Sequence, residues 1–277
     1  MITNRLKEIL LKVKKRVFTG NLGNTLSTFK GTGLDFSEIK DYVIGDDVRA
    51  INWKSTAKGL GVKVNLFNEE RELNVIIAYL VNGSINFGTK VTKQDAMAEV
   101  LGFLSYSALK NSDNLTTIFY DEQLEQLFKP TKKLGVLEDT IGYALNLDPI
   151  GKNVDYESFC TFLNSTVKKR SLIFLIGDFY GAVDLSTISH KNEVYALIVR
   201  DRFEENPSFK GDISLVDPIT LSEDDMSLDK SSLKEYRRLL SEHDQELAKH
   251  FLKHKIKFGK IYSDDDKYIK ISQILKG

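Results

Sequence analysis

The chain has 277 residues, with 39 Lys and Arg against 39 Asp and Glu, 42% hydrophobic residues, one Cys and four Pro. At roughly 150 residues per domain, that length accommodates one large α/β domain plus a further module, or two small domains. Balanced charge argues against a chain-wide polyanion binder, the lone Cys excludes a disulfide framework and any Cys-built zinc site, and the scarcity of Pro argues against long disordered linkers.

The first eighteen residues place Ile2, Leu6, Ile9, Leu10, Val13 and Val17 at helical spacing, with Arg5, Lys7, Lys12, Lys14, Lys15 and Arg16 on the other face against the single acid Glu8. Two readings stand: a helix lying on an anionic membrane surface, or one packed on its own domain with its charges solvated. The segment has no apolar run and small-residue cleavage site of a signal peptide, and no stretch of the chain reads as a membrane span. A cytoplasmic protein, soluble or peripheral to the inner membrane, is expected.

A Gly/Thr/Ser/Asn-rich stretch from Gly20 to Phe36 reads as loop or extended chain. A turn follows at Gly45-Asp46-Asp47, then a half-buried strand around Val62–Phe67. Leu73–Val81 is continuously apolar, as for a strand covered on both faces of a parallel sheet. The period then switches repeatedly, predicting helices over 93–110, 134–145, 155–167, 231–257 and 268–275, and strands over 115–120, 172–176, 193–199 and 259–262. Asp155 is placed to cap its helix. This alternation predicts a mostly parallel, doubly wound sheet over residues 72–277, with residues 1–71 as a helix plus a β-module. A β-hairpin is expected to leave the sheet at 213–221, within the segment 203–229 that holds eight acids and one base.

The run from Gly31 to Trp53 carries a resemblance. Gly31, Gly33, Asp35, Phe36, Tyr42, Gly45, Asp46, Asp47, Arg49, Ile51, Asn52 and Trp53 match the pattern G-x-G-x-[ED]-F…R-x-Y-x-x-G-D-D-x-R-x-I-[DN]-W, with Lys40 in place of its first Arg and Thr56-Ala57-Lys58 in place of S-A-[RK]. The chain thus resembles the bacterial domain-of-unknown-function family fifty-eight. The resemblance implies a von Willebrand factor A-like α/β domain with no enzymatic activity. It also implies partnership, as adaptor or co-chaperone, with a MoxR-type AAA+ ATPase and with other von Willebrand factor A-type proteins.

Such domains often carry a metal-ion-dependent adhesion site, D-x-S-x-S, with a later Thr and Asp. Aligned here, that motif falls on Leu80-Val81-Asn82-Gly83-Ser84, so the leading Asp and the first Ser are lost. Asp178 takes the later Asp position, and Thr131 is a poorly aligned candidate for the Thr. Mg²⁺ binding through Ser84, Asp178 and Thr131 is therefore the alternative to a degenerate site without metal. The expected partner surface is Asn82, Ser84 and Asp178 at the sheet rim, plus Asp46, Asp47 and Arg49 in the signature turn.

Other constellations carry less. Asp46 and Asp47 lack a nucleophile or matched base for hydrolysis, leaving a cryptic hydrolase as a remote reading and local hydrogen bonding as the plain one. Trp53, the sole Trp, is expected as a packing anchor or as a partner contact. His243, His250 and His254 share a helix expected to be solvated, without the Glu that metalloproteases place after the first His. Cys160 reads as core and not as a nucleophile. Gly31-Thr32-Gly33 lacks the P-loop Lys, and the basic stretch Lys249–Lys260 matches no nucleic-acid reading module.

Overall fold

The computed structural model describes residues 2–19, 35–59, 61–68, 72–209 and 211–276. Gly31, Gly33 and nearly all of the Gly/Ser/Thr-rich stretch lie outside the described residues. The chain divides into two compact units, Met1–Thr28 with Asn74–Gly277, and Phe29–Leu73. The division after Leu73 separates the sheet from the signature module, and the N-terminal helix groups with the sheet.

The larger unit is built on six strands in the order β10-β7-β6-β3-β4-β5: β3 (Asn74–Leu80), β4 (Asn114–Tyr120), β5 (Leu124–Thr131), β6 (Leu172–Gly177), β7 (Glu193–Arg200) and β10 (Lys257–Tyr262). All neighbours are parallel except the edge pair β4–β5. Every residue of β6 is buried, and so are all but the first of β3 and β7, because helices cover both faces. Alternate residues serve the two sides. Ile76, Ala78 and Leu80 join Phe159 and Leu163 of α5 (Tyr156–Thr166) and Leu247 and Phe251 of α7 (Lys230–Lys253) in one core. The opposite face packs on α3 (Lys93–Lys110), with α8 (Lys267–Lys276) and α4 (Val136–Asn146) beside it.

Helix α1 (Ile2–Thr19) lies on α3 and α4, burying Val13 and Val17 completely. Gly102 of α3 permits that approach, since a Cβ there would meet Ile141 at 3.0 Å and Val13 at 3.1 Å. Its basic face reaches back through Arg5–Asp95, Lys12–Glu99 and Arg16–Asp266 ion pairs. The helix is packed on its own domain, the second of its two readings. Among the described residues, no helix is long and apolar enough to cross a membrane.

Two elements differ from expectation. β5 was not anticipated: its sequence LEQLFKPT is partly polar and contains Pro130, which an antiparallel edge strand tolerates. The hairpin expected at 213–221 is present but longer, with Glu223–Leu228 (β9) pairing in register with Gly211–Val216 (β8) as a separate two-stranded ladder.

The smaller unit is an antiparallel pair, β1 (Asp35–Asp41) with β2 (Lys63–Asn68), joined through the signature turn and a one-turn helix, α2 (Trp53–Thr56).

Candidate functional site

β3 connects to β4 and β5 on one side, and the chain then returns to β6 on the other, so the strand order reverses at β3. In open α/β sheets that reversal opens a crevice at the carboxyl ends of the strands, here between β3 and β6. Asn82, just beyond β3, accepts the Ser84 amide at 3.1 Å and caps the short turn Gly83–Asn86. Asp178, just beyond β6, accepts the Ser84 hydroxyl on Oδ2. The same oxygen accepts Lys93 Nζ at 3.1 Å, and Lys93 also donates to Glu204 Oε1 at 2.6 Å. The Lys93 side chain is 0% exposed and Asp178 3%.

Glu204 is held from behind. It closes a capping box with Asp201, the residue after β7, at the start of the one-turn helix α6 (Arg202–Glu205). Asp201 in turn accepts Ser263 Oγ at 2.7 Å and the Thr89 amide at 3.1 Å. Burial pushes the Asp201 carboxyl up, and its donors Ser263, Thr89 and Phe203 more than offset this, leaving it below the usual range. Burial pushes Glu204 above the usual range despite Lys93.

Asn82, Ser84 and Asp178 therefore do meet, but Asn82 and Asp178 are buried and satisfied internally, and of the three only Ser84 is partly accessible. Thr131 is corrected: it pairs with Leu115 at the start of β4, whereas the crevice lies at the Tyr120 end. Five residues of strand, about 17 Å, separate the two.

The residues at this crevice do not fit Mg²⁺. Leu80 stands in the core at the place of the leading Asp, and the Lys93 ammonium occupies the face of Asp178 a cation would take. Magnesium requires near-octahedral oxygen donors, which this arrangement does not supply. Among the described residues, no three His, Cys, Asp or Glu side chains form a ligand group.

In the smaller unit, Asp46 accepts Lys40 Nζ at 2.8 Å and the Val43 amide at 2.9 Å. Asp47 caps the next turn through the Arg49 amide and takes the Arg49 guanidinium in a forked pair. These contacts hold both carboxyls below their usual range. Trp53 is 70% exposed, and Ile44 and Val48 are likewise exposed.

The family profile described as "Protein of unknown function DUF58" matches residues 38–246. The chain belongs to the DUF58 family. That span takes in the signature turn and the whole crevice. The DUF58 chain is 23% identical over 259 residues to the uncharacterized proteins Rv1480 of Mycobacterium tuberculosis and Mb1516 of Mycobacterium bovis, covering 88% of this chain and 79% of each relative. Among solved structures it is similar to the conserved hypothetical protein BatB from Bacteroides thetaiotaomicron (TM-score 0.45, 12% identity, 74% of this chain and 97% of that one). It is also similar to an aerotolerance-related membrane protein from Bacteroides fragilis (TM-score 0.43, 11% identity, 74% and 100%).

A cavity of about 620 Å³ opens beside the crevice of this DUF58 protein. Gly83, Ser84 and Phe87 form its rim side, Leu215, Val216 and Met226 of the β8–β9 hairpin face it, and Glu204 and Tyr236 line it too. The hairpin tip is fastened there: Pro218 O accepts the Gly151 amide at 2.8 Å, and a Cβ on Gly83 would lie 2.1 Å from that same oxygen.

Sequence reasoning missed Lys93, Glu204 and Asp201. Asp201 and Glu204 have capping-box spacing after an apolar strand, which could have marked them. The signal at Lys93 is an oddity: a cation in the first turn of a helix faces the positive end of its dipole, so it needs another reason to be there. Most of α7 is solvent-facing as expected, but two of its histidines are engaged: His243 Nε2 bonds Phe179 O at 3.0 Å and His250 Nε2 accepts the Leu185 amide at 3.0 Å.

Proposed function

We propose that this DUF58 protein is a non-catalytic interaction module, an adaptor or co-chaperone of a MoxR-type AAA+ ATPase, acting without a metal ion. The single observation that carries the metal-free reading is the Lys93 ammonium fixed between Asp178 and Glu204. The strand order, with one antiparallel strand at its β5 edge, supports a von Willebrand factor A-like sheet. The absence of catalysis is supported by the fate of the candidate acids: Asp46, Asp47 and Asp178 are each committed to a Lys or Arg partner.

The partner surface shifts accordingly. In the larger unit buried Asn82 and Asp178 shape the rim and Ser84 is the group a partner can touch, while the smaller unit by itself offers exposed Asp47, Arg49 and Trp53. The proposal carries with it a cytoplasmic location. Membrane contact through residues 1–18 would have to use the basic face of α1, because its apolar face is spent on α3 and α4.

The test is affinity capture of the tagged protein from native lysate with Mg²⁺-ATP or with EDTA, read by mass spectrometry. An AAA+ ATPase enriched with the wild type and lost with Arg49→Glu or Trp53→Asp supports the reading. Absence of any such ATPase removes it.

A further inference from the structure

We propose that the cavity between the rim and the β8–β9 hairpin takes a partner segment carrying Lys or Arg flanked by apolar residues. The inference rests on the interaction-module reading and deepens it by giving the chemistry of what is bound. Phe87, Ile150, Leu215, Val216 and Met226 are each 40–55% exposed, yet all line one cavity. Exposed apolar side chains gathered around a concavity mark a binding surface, unlike the same residues scattered singly.

Charge selects the occupant. Asp217 and Asp224 line the cavity beside Glu204, which is already held by Lys93, and among the described lining residues there is no Lys or Arg. Glu223 and Asp225 flank Asp224 on the same strand. The Lys93 ammonium behind Glu204 is buried and already held by two carboxylates, so it offers nothing to an incoming anion. A partner carboxylate, the group a metal-bearing A-domain would receive, meets like charge here. A Lys or Arg side chain matches both features at once, laying its aliphatic stem along the apolar walls while its head reaches the acids. The Ser84 hydroxyl oxygen, at the rim, can accept from such a head.

The experiment pans a displayed random heptapeptide library on the immobilised full chain, with Met226→Asp as counter-target. Selected peptides are then measured by fluorescence polarisation against wild type, Met226→Asp and Asp224→Lys. Both positions are exposed, so the variants keep the fold, checked by thermal melting. The expected result is enrichment of Lys or Arg between apolar residues. Affinity should fall at least about tenfold in each variant, and fall again as salt is raised toward a Debye length of about 5 Å. Enrichment of acidic or uncharged sequences, peptides indifferent to both substitutions, or no enrichment at all would overturn the proposal. Its failure alongside successful ATPase capture would remove this groove only, whereas basic peptides bound here with no ATPase captured would remove the named partner and leave the groove.

Discussion

The Lys93 ammonium and the Asp178 carboxylate stand 85 residues apart in sequence and 3.1 Å apart in space, both out of contact with water. Removing one member of a buried ion pair costs far more than the pair contributes, because the survivor keeps its desolvation penalty. Lys93→Met should therefore lower stability by about 3–5 kcal/mol in urea unfolding. Adding Asp178→Asn to it should recover part of that loss. Additive losses would show that the two side chains are not coupled.

The same pair bears on metals. Wild-type protein should show no rise in melting temperature with millimolar Mn²⁺ or Mg²⁺, since a bound ligand raises stability only in proportion to its affinity for the folded state. A clear rise that Ser84→Ala abolishes would mean that Lys93 gives way to a cation.

Much of this was legible in the residues. The apolar runs of β3, β6 and β7 announce a covered parallel sheet, and Asp155 caps α5 as its position suggests, accepting the Glu157 and Ser158 amides. The crevice was half legible: the resemblance aligned Asn82, Ser84 and Asp178, and topology joined them. What could not be read was the filling. Lys93 reaches Glu204 across 111 residues, a contact set by packing of α3 against the sheet and not by any local pattern. β5 escaped because an edge strand needs neither continuous apolar character nor freedom from Pro.

Gly83 lies under the hairpin tip. A Cβ there would fall 2.1 Å from Pro218 O, a backbone atom that can only move away with its turn. Gly83→Ala should cost about 1–3 kcal/mol as an overpacked contact. It should also speed limited proteolysis within residues 211–228, and unchanged cleavage there would show that the tip is not anchored through this contact.

Cys160 sits in the core of α5, and burial pushes its thiol up to about 11. At pH 8 the thiolate fraction then falls roughly two orders of magnitude below that of a free cysteine of pKa about 8.5. Reaction with Ellman's reagent in the folded protein should be slower by at least that factor and become fast in urea. Rapid reaction without urea would contradict the buried placement.

His250 links α7 to the Leu185 backbone, whose amide donates to its Nε2 at 3.0 Å. That acceptor exists only in the neutral ring, with the proton on Nδ1. Burial, then the charge of nearby His254, hold His250 below its ordinary value of 6.5, while Asp184 pulls weakly the other way. A histidine whose folded value is depressed contributes stability that is full above the unfolded value and lost as pH falls through the folded one, because the unfolded chain binds the proton more readily. The urea midpoint should therefore decline as pH drops below 6.5. His250→Gln keeps an acceptor near the Leu185 amide but cannot titrate, so its midpoint should vary less over the same range. An equal decline in both proteins would place the pH sensitivity elsewhere in the chain.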